Sequence, residues 1–143
     1  MAICVFFGHR ECYDLEKNVI IKAIEGLVRQ GVDTFYVGNQ GQFDAMVYGC
    51  LRQLKTTYPQ IQFAVVLAYI PMGEGDSEDT MYPEAVALGP PRYAIERRNR
   101  WLIEQADHVI CYVRHTWGGA YKFSRIAKRM GKTVINLGGD GVL

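Results

Sequence analysis

The chain has 143 residues, with 16 Lys+Arg against 15 Asp+Glu and a formal charge of +1. That length suits one domain, 1–143, with a core of its own, and 49% hydrophobic with 22% charged residues excludes a disordered chain. The balanced charge argues against a broad nucleic-acid or membrane surface, which needs an excess of Lys and Arg.

Residues 2–7 form a short apolar run ending at Gly8 and read as a buried strand. Over 13–30, Leu15, Val19, Ile20, Ala23, Ile24 and Leu27 recur at helical spacing, with Asp14 as an N-cap and Gly31 as a stop. Residues 34–37 give a second strand, ending at Gly38. Residues 43–58 give a helix with Ala45, Met46, Cys50, Leu51 and Leu54 as its stripe and Pro59 behind it. Residues 62–70 are apolar on both faces, as in a parallel sheet covered by helices on both sides. The segment 71–91 is rich in Gly, Pro and acidic residues without a convincing period, and reads as a long lid or interface loop. A helix over 92–106, a strand over 108–113, a helix over 118–130 and a strand over 133–137 complete the alternation. The tail 138–141 reads as flexible. This order predicts an α/β domain with a mainly parallel sheet of about five strands.

No run approaches the roughly 20 apolar residues of a membrane span, the longest being 63–71. Nor does Met1-Ala2-Ile3-Cys4 carry the basic region of a signal peptide, so the expected location is cytoplasmic. The four cysteines, Cys4, Cys12, Cys50 and Cys111, contain no C-x-x-C pair, and all but Cys12 sit in apolar segments. They read as thiols rather than disulfides or zinc ligands. His9, His108 and His115 lack a metal-ligand spacing, and neither H-E-x-x-H nor G-x-S-x-G occurs. No metal or cofactor is expected.

In an open parallel sheet, ligands bind beyond the carboxyl ends of the strands, so the turns there carry the functional information. Gly8-His9-Arg10 offers a tight turn, an imidazole and a permanent cation for phosphate or carboxylate, or is a plain surface turn. Gly38-Asn39-Gln40-Gly41-Gln42-Phe43-Asp44 places two glycines ahead of a helix, where N–H groups favour an anion. Asp44 caps that helix or binds a ribose hydroxyl. In Glu96-Arg97-Arg98-Asn99-Arg100-Trp101 the three arginines cannot share one helix face, so one points into a site or all are solvated. Thr116-Trp117-Gly118-Gly119 opens a helix directly, the geometry for a phosphate on free N–H groups, and is the strongest of the four signals.

With those motifs in that order, the chain resembles the SLOG superfamily, the Rossmann-like α/β/α domain shared by DprA and Lonely Guy proteins, and is most similar to its small bacterial YpsA-like branch. The carrying residues are Phe6 to Arg10, Gly38 to Asp44, Glu96 to Trp101 and Trp117 to Tyr121. The resemblance implies a pocket for a nucleotide or nucleotide derivative, in a sensor or signalling domain, and association into homodimers or larger homo-oligomers. Lonely Guy enzymes follow their glycine motif with Thr and Glu and cleave nucleoside monophosphates; here Ala120-Tyr121-Lys122-Phe123 follows, without the glutamate.

The candidate contacts for phosphate and ribose are therefore Gly8, His9, Arg10, Gly38, Asn39, Gly41, Phe43, Asp44, Arg97, Arg98, Asn99, Arg100, Thr116, Gly118 and Gly119. The alternative is a phosphoribohydrolase or N-glycosidase with Asp44 and Glu96 as its carboxylates. Single-stranded DNA binding is a further class, which the balanced charge disfavours. Tyr82, Val86, Leu88 and Trp117 are expected to form an apolar patch for self-association.

Overall fold

The computed structural model describes residues 1–70 and 79–143. Strand β1 (Ile3–Gly8) is followed by α1 (Lys17–Arg29), β2 (Thr34–Val37), α2 (Gln42–Thr57) and β3 (Gln62–Val66). After β4 (Thr80–Met81) come a single turn of helix, α3 (Glu84–Ala87), and a 3-10 turn, Pro91–Tyr93, which leads into α4 (Ala94–Gln105). Strand β5 (His108–Tyr112), α5 (Gly119–Arg129) and β6 (Thr133–Asn136) follow. The sheet has the order β4-β3-β2-β1-β5-β6, and every neighbouring pair is parallel.

The alternation of strand side chains explains the layers. In β1, Cys4 and Phe6 face one core with α1 and α2 residues such as Ile24 and Leu51. Ile3, Val5 and Phe7 face the other, with Leu102 of α4 and Phe123 of α5. In β5, Ile110 and Tyr112 join the first core and Val109 and Cys111 the second. Both faces of the central strands are thus covered, which is why they read as continuous apolar runs. The result is a three-layer, Rossmann-like α/β/α arrangement. The chain steps outward from β1 to β4, then returns to β5 beside β1. Right-handed crossovers put helices made before and after that return on opposite faces.

Several expectations are corrected. The sheet has six strands rather than about five, because part of the segment expected as a loop over 71–91 pairs with β3. Residues 71–78 of that segment lie outside the described residues. The strand expected over 62–70 leaves the ladder after Val66, where its pairings with β2 and β4 have both ended, although Leu67 N–H still reaches the Met81 carbonyl at 2.8 Å. Asp14 is not an N-cap: α1 begins after Glu16, and the Asp14 carboxylate instead pairs with Arg114 at 2.8 Å. At the start of the tail, Asn136 Oδ1 accepts the Gly138 N–H at 2.9 Å and its Nδ2 donates to the Gly139 carbonyl at 3.1 Å. All four cysteines are buried free thiols. Among the described residues no helix is long and apolar enough to cross a membrane.

Candidate functional site

The strand order reverses between β1 and β5, and a cavity of 720 Å³ opens at the carboxyl ends of those two strands. That is the switch point at which open parallel sheets take their ligands, and the volume falls within the range of small-ligand pockets. Nine of the expected site residues line it. Gly8, His9 and Arg10 come from the end of β1, Gly38 and Asp44 from the β2–α2 turn, Arg98 and Asn99 from α4, and Gly118 and Gly119 from the start of α5.

The others do not. Gly41 lies beneath the wall, where a Cβ would come within 2.7 Å of the Arg10 Cα. Phe43 is a core side chain, and a Cβ on Gly8 would overlap its ring. Arg97 faces away: Nε donates to the Val86 carbonyl at 3.0 Å and Nη1 to that of Pro90 at 2.7 Å, so it clamps the α3 segment to α4. Arg100 pairs with Glu96 at 3.4 Å, and Glu96 also takes Lys122 at 2.7 Å. The Lys122 ammonium is the main reason the Glu96 carboxyl sits below its usual range. Glu96, Asn39 and Thr116 are absent from the lining. The three arginines Arg97, Arg98 and Arg100 of α4 thus divide as helix geometry requires, and of them only Arg98 enters the site.

Arg98 is 3% exposed and Asp44 7%. Arg98 donates from Nη1 to the Val66 carbonyl at 3.1 Å, from Nη2 to Gln40 Oε1 at 2.6 Å and from Nε to Asn99 Oδ1 at 2.8 Å. Asp44 Oδ2 accepts the Gln40 N–H at 2.9 Å. Gln40 therefore joins two buried opposite charges that make no direct salt bridge. Burial pushes the Asp44 carboxyl up to about 6, against the lowering effects of the Gln40 N–H and Arg98.

The two glycine turns differ in kind. At α2 the donors are already used, with Gln42 N–H on the Arg10 carbonyl at 2.8 Å and Gln40 N–H on Asp44. Gly38 and Gly41 are required by the chain itself, since Cβ atoms there would meet Arg98 and Arg10. At α5 no side chain caps the helix, and the first helical bond runs from Lys122 N–H to the Gly118 carbonyl at 3.0 Å. The N–H groups of Gly119, Ala120 and Tyr121 stand ahead of that ladder. Gly118 needs its glycine for a φ of +90°, but Gly119 has neither a positive φ nor any atom within 4 Å of a would-be Cβ.

The sequence reading missed one wall. His9, His115 and Trp117 stack in a column, with centroids 3.7 Å apart for His9–His115 and 3.6 Å for His115–Trp117. His9 Nε2 accepts the Arg114 N–H at 2.9 Å, which requires the imidazole to carry its proton on Nδ1. Burial lowers the His9 pKa, and a charge on His115 lowers it further. Arg114, His115 and Trp117 follow β5 directly, so strand-end placement was a signal for them, although nothing local predicts the stacking. Among the described residues, three guanidiniums and three carboxylates line the cavity: Arg10, Arg98 and Arg114 against Glu11, Asp14 and Asp44.

No model of a known protein family matches the chain, and no curated protein is significantly similar to it.

Proposed function

We propose that the protein binds a nucleotide or nucleotide-derived small molecule at the β1–β5 switch point, with a phosphate on the N–H groups that open α5, and that it acts as a sensor or signalling domain of SLOG type. The observation that carries this reading is Gly119. Among the described residues no packing or backbone conformation requires a glycine there, and unlike Gly26 and Gly49, which are equally unconstrained, it lines the cavity. A ligand approaching the backbone supplies the missing reason, and the positive end of the helix favours an anion. Arg10 and Arg114 supply charge at the same cavity, and the buried carboxylate of Asp44 suits a hydroxyl donor such as ribose.

A thermal-shift screen of nucleoside mono-, di- and cyclic phosphates and ADP-ribose tests the reading. A ligand at a hundred times its Kd should stabilise the fold by about 2.7 kcal/mol. If no phosphorylated nucleoside raises the melting temperature, the reading fails.

One observation favours turnover as a second reading. Asp44 is a buried carboxyl in the cavity wall, pushed up to about 6, where it is able to exchange a proton or to face an oxocarbenium-like state. Glu96 takes no part, being held by Lys122 outside the cavity. Release of base from a nucleoside monophosphate, abolished by Asp44→Asn, would establish this activity.

A further inference from the structure

We infer that the free face of Trp117 is the platform for a purine base, so that the ligand is a purine nucleotide held by its base as well as by its phosphate. The inference rests on the phosphate site proposed above and adds a second, independent contact.

The observation is the column itself. Trp117 is 67% exposed, which is unusual for the largest apolar side chain. It is nevertheless held in place, for His115 lies against one of its faces at 3.6 Å with the planes 16° apart, and His115 Nδ1 is 3.1 Å from the Trp117 carbonyl oxygen. His9 supports His115 from behind, fixed by the Arg114 N–H and by its edge-on contact with Tyr112, at 6.0 Å. Three rings anchored to the ends of β1 and β5 thus present an indole to the cavity with its outer face uncovered among the described residues. A bare indole held so firmly gains nothing for the fold from its exposure. It gains from a planar ring laid on it, because stacking on an aromatic face is favourable for any base and grows with overlapping area. The two fused rings of a purine match the indole best. Trp117 immediately precedes Gly118 and Gly119, so the platform and the phosphate donors are adjacent in the chain and open into the same space.

The test compares AMP, UMP and ribose 5-phosphate by calorimetry on the wild type, Trp117→Phe and Trp117→Ala. Subtracting the Trp117→Phe emission spectrum isolates the Trp117 fluorescence from that of Trp101. The wild type is expected to bind AMP at least about tenfold tighter than ribose 5-phosphate, and tighter than UMP. AMP should quench Trp117. Trp117→Ala should lose that advantage while leaving ribose 5-phosphate unchanged, and Trp117→Phe should retain part of it. Because the side chain is exposed, the variants should melt like the wild type. Equal binding of AMP and ribose 5-phosphate, or an Ala variant that binds AMP as well as the wild type, overturns the platform and leaves the phosphate site standing. AMP no tighter than UMP overturns the purine assignment. Binding of none of the three overturns both the platform and the site on which it rests.

Discussion

The guanidinium of Arg98 occupies the space that a side chain at position 38 would need: a Cβ on Gly38 would lie 2.7 Å from Nη1 and 2.8 Å from Cζ. Arg98 cannot swing aside freely, because three hydrogen bonds hold it in the cavity wall. Gly38→Ala should therefore break at least one charge-assisted bond and cost about 1.5–3 kcal/mol. Gly49→Ala, inside α2 with nothing within 4 Å, should be neutral or stabilising by up to about 1 kcal/mol. Urea midpoints of the two variants, compared at constant slope, check the contrast.

The buried Asp44 carboxyl gives a pH-dependent prediction. Its folded pKa of about 6 lies above the ordinary value of 3.8, so the folded state binds the proton more tightly. That contribution to stability is complete below pH 3.8 and is lost as pH rises through about 6. Asp44→Asn keeps an acceptor for the Gln40 N–H and carries no charge. It should be more stable than the wild type at pH 7.5 by on the order of 2 kcal/mol, and the gain should vanish below pH 4. Thermal melts from pH 3.5 to 8 test this. A gain from removing the carboxylate would mean that it is retained for a purpose other than folding.

His9 acts in the opposite sense. Its folded pKa is lowered, and Nε2 must stay unprotonated to accept the Arg114 N–H. Its contribution is present above the ordinary imidazole pKa of about 6.5 and declines as pH falls through that value toward the lower folded one. Gln at position 9 offers a comparable acceptor that does not titrate. The stability of the wild type relative to His9→Gln should thus fall between pH 7 and pH 5, and nitrogen NMR should show the Nδ1–H tautomer at pH 7.5.

Gly119→Ala separates fold from site. It places a methyl in open space at the start of α5 and should leave the melting temperature unchanged or slightly higher. Affinity for any phosphorylated ligand found in the screen should fall at least about fivefold, since the methyl crowds the N–H donors. Equal affinity in the variant would remove the central support for the phosphate seat.

Glu96→Gln separates the role of Glu96 from that of Asp44, the other carboxylate of the hydrolase alternative. Glu96 is tied to Lys122 and Arg100 on the outer face of α4, and its pairs are half-exposed and screened by salt. The substitution should shift the urea midpoint only slightly, and less in high salt. Ligand stabilisation should be unaffected.

How much was legible in the sequence differs by element. The strands of the central sheet and the four long helices were readable because burial on both sides leaves an apolar run and burial on one side leaves a 3.6-residue period. The two-residue β4 was not, since so short a strand has no period and is held by pairing with Val65 and Val66. Of the residues expected to form an apolar patch, Val86 is fully buried while Leu88 and Trp117 are exposed. A helix of one turn has no stripe from which its inner face can be deduced.

The order of apolar runs, stop glycines and strand-end turns was enough to set an α/β domain with its polar and glycine-rich residues along one edge of a parallel sheet. Such periodicities are local, and each strand must end where its burial ends. Tertiary structure alone decided which of Arg97, Arg98 and Arg100 enters the cavity, that Gly38 and Gly41 serve the chain while Gly119 stands open, and that His9, His115 and Trp117 meet as one wall. Those outcomes depend on residues far apart in sequence meeting in the folded chain: Val86, Pro90, Val66 and Gln40 around the arginines, and the ends of β1 and β5 for the ring column.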